Sequence, residues 1–224
     1  MAFPSHIIEN NECNLSGFCI PVFKKVIIQI GGFLLPLLLI CVMNPETRAA
    51  GMVADLMVLS ARTAPKGKAT DSISAVVKTG DELKSLAEEM KRIGERDEMG
   101  FFIRDAGNIA SSDACVILGC QGGTVLGLNC GGCGYATCKE MADAWSKREQ
   151  NQPFSGPNCV IKMADLGIAL GSAVKTASIH NLDNRIMYSA GVAALSLGWL
   201  PGCSVAYAIP VRAAGKNIYF DRKA

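Results

Sequence analysis

The sequence predicts an α+β (or α/β) fold: a single helix-rich domain around a small sheet, with a cysteine-rich loop set into it. Three observations carry this expectation. Several segments repeat apolar residues at helical spacing. Two short stretches, 114–119 and 203–211, read as strands. Between them, glycine and cysteine crowd residues 119–138. Half of the 224 residues are apolar and the net charge is +2, so the chain can build a core and is not disordered. Collagen and coiled-coil compositions are absent. With 22 basic against 20 acidic residues, no basic surplus points to nucleic acid.

The first 42 residues stand apart from the rest. Residues 1–45 carry Glu9, Glu12, Lys24 and Lys25 as their charged residues, and none lies between Val26 and Pro45. The run from Val26 to Met43 holds thirteen large apolar side chains. Leaving them in water would cost on the order of 25 kcal/mol. A membrane helix is one reading, since the run is just long enough to span. A signal peptide fits less well: Lys24 and Lys25 lie far from the N-terminus and no small-x-small cleavage site follows. The third reading is a start at Met43, where Asn44 can cap a helix, Pro45 suits its first position and Glu46 its first turn. That start is the favoured reading and a membrane anchor the second. An anchor would place the remainder outside the cytoplasm, where thiols oxidise. The expected organisation is an apolar extension over 1–42 and a cytoplasmic domain over 43–224, with its cysteine-bearing segment at about 113–162.

The elements follow in order. Residues 45–61 form an amphipathic helix with Met52, Val53, Leu56 and Met57 on one face. Pro65 and Gly67 punctuate a basic loop over 62–68. Asp71 is positioned to cap a short helix through Val77. Thr79 and Glu82 have capping-box spacing before a second helix, whose apolar face is Leu83, Leu86, Ala87, Met90 and Ile93. Ala114–Gly119 is a buried strand. Residues 136–148 are helical, and so are Met163–Ile179, where Gly167 and Gly171 suggest close backbone packing. Asn184–Leu197 is a further helix, stopped by Gly198 and Pro201. Cys203–Val211 alternates large and small side chains as a strand does, and Asn217–Phe220 is a last short strand.

The chemistry concentrates in the cysteines. Cys130, Cys133 and Cys138 fall within nine residues, and Cys159 follows after twenty more. A glycine-rich turn can wrap three sulfurs round one face of a metal centre while a distant fourth closes it. Gly131, Gly132 and Gly134 permit that turn. Zinc sites pair two short Cys hairpins, and the second is missing here. Iron–sulfur ligation accepts three ligands plus one, so the spacing favours it over zinc or disulfides. Cys115, Cys120 and Cys203 read as core residues.

The segment Cys130-Gly-Gly-Cys-Gly-Tyr-Ala-Thr-Cys138 resembles the 4Fe–4S module of several anaerobic electron-transfer and corrinoid proteins. Residues of about 44–224 resemble a prokaryotic family of uncharacterised proteins containing a ferredoxin domain. The resemblance is carried by Ala-Arg-Thr-Ala-Pro-Lys-Gly at 61–67, Phe-Ile-Arg-Asp-Ala at 102–106 and Asn-Cys-Gly-Gly-Cys-Gly at 129–134. Further segments are Asp-Leu-Gly-Ile-Ala-Leu-Gly-Ser-Ala at 165–173, Asp-Asn-Arg-Ile-Met-Tyr-Ser-Ala-Gly at 183–191 and Gly-Lys-Asn-Ile-Tyr-Phe-Asp-Arg at 215–222. It implies a 4Fe–4S cluster on Cys130, Cys133, Cys138 and Cys159, and no particular reaction.

Other chemistry is sparse. His6 and His180 are the two histidines, which argues against histidine-dependent catalysis. Arg62 and Lys66 sit in the basic loop, which reads as a solvated turn or as a phosphate grip. The C-terminal half resembles the end of flavin-dependent nitroreductases, which would make Arg62 and Lys66 holders of an FMN phosphate. The expected function is electron transfer through a 4Fe–4S cluster, as a redox module or oxidoreductase subunit with a partner protein or a small-molecule acceptor. The alternatives are a nitroreductase-like flavoenzyme fed by the cluster, and a non-enzymatic binding or sensor protein with zinc or a cluster as a structural metal.

Overall fold

The computed structural model describes residues 27–30, 33–36, 44–149 and 152–220. The chain divides into two compact units, Met1–Asn44 and Pro45–Ala224. In the first, β1 (Ile27–Ile30) pairs antiparallel with β2 (Phe33–Pro36). These residues of the apolar run are strand, not membrane helix. The remainder of 1–43, and with it the expectation of a start at Met43, lies outside the described residues. Among the described residues no helix is long and apolar enough to cross a membrane.

The second unit is α+β. A four-stranded sheet is formed by β3 (Ile73–Thr79), β4 (Ala114–Cys120), β5 (Asp183–Asn184) and β6 (Val205–Arg212). Its order is β3–β4–β6–β5 and all neighbours run antiparallel. Helices cover both faces, so β4 is buried along its whole length and reads as an unbroken apolar run. Its even positions Val116 and Leu118 pack with α1 (Pro45–Thr63) and α5 (Val160–Ile179). Its odd positions Cys115 and Ile117 pack with α2 (Asp81–Arg96), α3 (Gly100–Ala110) and α6 (Tyr188–Ser196). A shorter helix, α4 (Cys138–Ser146), joins a third apolar group around Leu126, Met141 and Cys159.

The alternation in β6 has a structural purpose. Val205, Ile209 and Val211 face α1 and α5, while Ala206 and Ala208 face α6. Small residues there let α6 come close. A Cβ added to Gly191 would meet the Ala206 carbonyl oxygen at 2.0 Å, so helix and strand backbones touch.

Several expectations need correction. Residues 73–79 are strand β3, not a helix. Ile73, Val76 and Val77 prefer extended backbone, and Asp71 Oδ1 accepts the Ile73 N–H at 2.9 Å, so it caps a strand entry instead. Gly80, at φ 55°, is the N-cap of α2, although Glu82 still accepts from the Thr79 N–H at 3.4 Å. Helix α3 has no counterpart in the sequence reading, yet Phe102, Ala106 and Ile109 give it a buried stripe. Gly167 and Gly171 meet nothing; the approach of α5 to α1 rests on Ala169, Ala173 and Ala177 against Ala50, Ala54 and Ala61. Residues 183–187 are a short strand and a bridge to Ala208, so α6 begins only at Tyr188. Residues 217–220 form a turn, pinned by the hydrogen bond between the Tyr219 and Ser112 hydroxyls at 2.8 Å.

Candidate functional site

Cys130, Cys133, Cys138 and Cys159 line one small cavity, together with Val125, Tyr135 and Met141. Two of the four thiols are placed by helix starts. Thr137 caps α4 by accepting the Glu140 N–H at 3.2 Å, which makes Cys138 the first residue of the helix. Cys159 occupies the N-cap position of α5. Both sulfurs thus belong to positions at positive helix ends, where an anionic ligand is favoured. Cys159 is buried; its N–H donates to the Gly122 carbonyl at 2.8 Å. Asn158 fixes the approach to it, accepting from the Ser204 hydroxyl at 2.6 Å and donating to the Ser155 carbonyl at 2.9 Å. Phe154 anchors the same segment edge-on against Tyr188 and Tyr207.

The other two thiols ride on the glycine-rich turn. Gly131 (φ 70°) and Gly134 (φ 87°) adopt the left-handed region, and Gly134 N–H bonds back to Gly131. A Cβ on Gly132 would meet Val160 at 2.5 Å, so the turn lies against the first residue of α5. Asn129, itself at φ 48°, ties the turn shut: its side-chain oxygen accepts the Cys138 N–H at 2.8 Å, and its own N–H points at the Cys138 sulfur at 3.4 Å. Cys130 is exposed, while Cys133 and Cys138 are half-buried.

The donor set fits a soft, thiolate-bound centre. Among the described residues that line the cavity there is no histidine and no carboxylate, so thiolates are the donors it offers, to zinc or to an iron–sulfur core.

The remaining thiols are placed differently. Cys115 is fully buried in the core and Cys120 lies beneath the opposite helix layer. Burial pushes the Cys120 thiol up to about 11, and it pushes Cys115 and Cys203 up as well. Cys115 and Cys120 are buried core residues, while Cys203 is half-buried at the edge of the core. Arg62 and Lys66 are occupied within the fold. Arg62 pairs with Asp71 at 2.6 Å and donates to the Ile73 carbonyl at 2.8 Å. Lys66 donates to the carbonyls of Ala61, Arg62 and Ala64, closing the C-terminal end of α1. The Arg62 contacts join α1 to β3, while those of Lys66 stay at the end of α1.

A buried ion pair, Lys162 with Asp165, lies one turn beyond Cys159. Lys162 is completely buried, with its Nζ 2.9 Å from Asp165 Oδ2 and 2.6 Å from the Thr70 carbonyl. Asp165 Oδ1 accepts the Gly67 N–H at 2.9 Å. The pair fastens the start of α5 to the loop at 67–70. Lys68 continues the tie by donating to the Leu126 carbonyl, at the entrance to the cysteine turn. The i, i+3 spacing of a lysine and an aspartate in an apolar helix was the available signal.

Comparison with known proteins agrees with the donor set. A family described as "Uncharacterized protein containing a ferredoxin domain" matches residues 155–222, and one described as "Putative Fe-S cluster" matches 127–152. An uncharacterized protein of Archaeoglobus fulgidus is 43% identical over 171 residues, which span 76% of this chain and 90% of that protein. Among solved structures, a nitroreductase-like family protein from Bacillus cereus is similar with a TM-score of 0.48 and 12% identity, over 77% of this chain and 78% of that one. Nitroreductase A from Vibrio parahaemolyticus gives 0.46 and 11%, over 74% of this chain; the match spans 59% of that protein's length.

Proposed function

The chain belongs to the family of uncharacterized proteins containing a ferredoxin domain, and we propose that it holds a 4Fe–4S cluster on Cys130, Cys133, Cys138 and Cys159 and passes single electrons through it. The observation that carries the reading is the convergence of these four thiols, and among the described residues of no other cysteine, on one cavity. When bound, a cluster of this kind supplies one-electron redox chemistry, its potential set by charge, hydrogen bonds to sulfur and exposure.

The protein's part is to hold and tune. The Asn129 N–H is directed at the Cys138 sulfur, and the starts of α4 and α5 set their positive ends at Cys138 and Cys159. Met141 and Leu126 keep water from the buried side. Cys130, exposed, marks the side on which electrons would enter or leave, to a partner protein or a small acceptor.

Iron, sulfide, zinc and flavin should be measured on one anaerobically purified sample. About four irons and four sulfides per chain, with a reversible paramagnetic signal on reduction, are expected. One zinc per chain with no sulfide would refute the reading and leave a structural staple.

A further inference from the structure

A second cavity, far larger than the first, opens between α2, α6, the loop after α6 and the segment leading to Cys159. It encloses about 500 Å³, the size of a small-molecule site. Its floor is apolar, from Ile93, Val192, Leu195 and Leu200, and Ser155 and Ser204 add hydroxyls. Among the described residues that line it, the charged ones are Arg96 and Arg148, and none is acidic. The two differ in how far they are already engaged. Arg96 is held in a two-pronged pair with Asp97, both distances 2.6 Å, which cancels much of its charge. Arg148 has no carboxylate partner among the ion pairs of the described residues. Its guanidinium carbon lies over Trp145, 3.5 Å from the ring centre, and one nitrogen donates to the Trp145 carbonyl at 3.0 Å. Its Nε is buried and lacks a hydrogen-bond partner among the described residues. The guanidinium is therefore under-satisfied, which favours an oxyanion at the nitrogens that reach the cleft.

We propose that this cleft binds a small organic anion, with its carboxylate or phosphate on Arg148, its apolar body on the Val192–Leu195 floor, and Arg96 as a secondary contact. A guanidinium held over an indole is restrained in position, and its fork of donors suits a bidentate oxyanion.

The cleft adjoins the thiol cavity along two walls. Ser155 lies four residues before Cys159, which limits their separation to about 14 Å. Ser204 donates to Asn158 and accepts from the Gly122 N–H, while Gly122 receives the Cys159 N–H. On the other side, α4 starts at Cys138 and Arg148 follows its end. Trp145, beneath Arg148, packs on Gly123, where a Cβ would meet the ring at 2.3 Å. The ligand is thereby placed as the small-molecule partner of the thiolate centre. That role rests on the function proposed above; the binding does not.

Calorimetric titration of the anaerobic full-length protein with inorganic phosphate, succinate and phenyl phosphate tests the site, with sodium chloride at matched ionic strength as the blank. Saturable binding in the millimolar range is expected. Phenyl phosphate should bind several-fold tighter than inorganic phosphate if an organic phosphate is the ligand, and succinate tighter than either if a carboxylate is. Arg148→Gln should weaken binding about tenfold or more. Arg148→Lys should recover part of the loss, and Arg96→Gln should cost only a few-fold. Unchanged melting of each variant separates lost binding from lost fold. No saturable heat with any of the three probes, or binding indifferent to Arg148→Gln, overturns the proposal. Iron and sulfide assayed on the same sample keep the two claims apart. A loaded centre without anion binding sinks the cleft alone, and anion binding without iron sinks the redox role alone.

Discussion

Breaking the buried Lys162–Asp165 pair should cost far more than removing it whole. Lys162 is fully buried and Asp165 nearly so, and the Nζ has just two acceptors, the Asp165 carboxylate and the Thr70 carbonyl. Asp165→Leu leaves an ammonium inside the protein with one neutral oxygen. Lys162→Met leaves a carboxylate with the Gly67 N–H. Each single change should destabilise by about 3–5 kcal/mol, the cost of an uncompensated interior charge. In a chain of this size that lowers the melting midpoint by roughly 10 °C. The double substitution removes both charges and strands only the Gly67 N–H and the Thr70 carbonyl, for a total of about 2–4 kcal/mol. The pair should therefore show a coupling of about 3 kcal/mol or more. The assay is thermal unfolding followed by circular dichroism on anaerobic samples matched for iron content. Single variants that melt within a degree or two of the parent, or a double variant as damaged as the sum of the singles, would refute the reasoning.

Three further outcomes are expected. Gly191→Ala drives a methyl into the Ala206 carbonyl, and since backbone cannot yield as a side chain does, the loss should reach at least about 3 kcal/mol in the same melting assay. Cys159→Ser should abolish bound iron whereas Cys115→Ala should leave the iron content unchanged, because Cys115 lies in the core away from the thiol cavity; equal iron loss in both would remove the four-thiol assignment. The Arg92 guanidinium holds the Glu89 carboxyl below its usual range, with Ser196 assisting at 2.5 Å. A lowered carboxylate pKa stabilises the fold fully above the unfolded value, about 4.3, and the contribution fades as pH falls through the folded value. Glu89→Gln should accordingly destabilise at pH 7 and much less below pH of about 3, and a pH-independent loss would contradict it.

Much of this fold is legible along the chain. The strand at 114–120 announces itself because both its faces are covered, and β6 because its large and small residues alternate against two different layers. The cysteine-rich turn is legible because Cys130, Cys133 and Cys138 fall within nine residues. Two misreadings share a cause: each used a residue type without its partner. Asp71 can cap a helix or a strand entry, and only the β-branched residues after it decide. Glycines four apart in α5 suggest a close helix contact, yet they face away, and alanines make that contact. Arg62 and Lys66 read in sequence as a solvated turn or a phosphate grip, and their partners, Asp71 and the end of α1, are not legible there. The anion cleft was invisible for a related reason. Its arginines lie 52 positions apart and gain a common wall only when α2 meets the segment after α4.

The site's two halves differ in what holds them. Cys138 and Cys159 are fixed by the starts of two helices, one of them clamped by the buried Lys162–Asp165 pair a turn further on. Cys130 and Cys133 depend on a turn with two left-handed glycines, closed by Asn129. The buried pair and the cleft extend the same logic outward. What anchors α5 also anchors Cys159, and what shapes the cleft between Ser155 and Arg148 is the same backbone that carries Cys159 and Cys138.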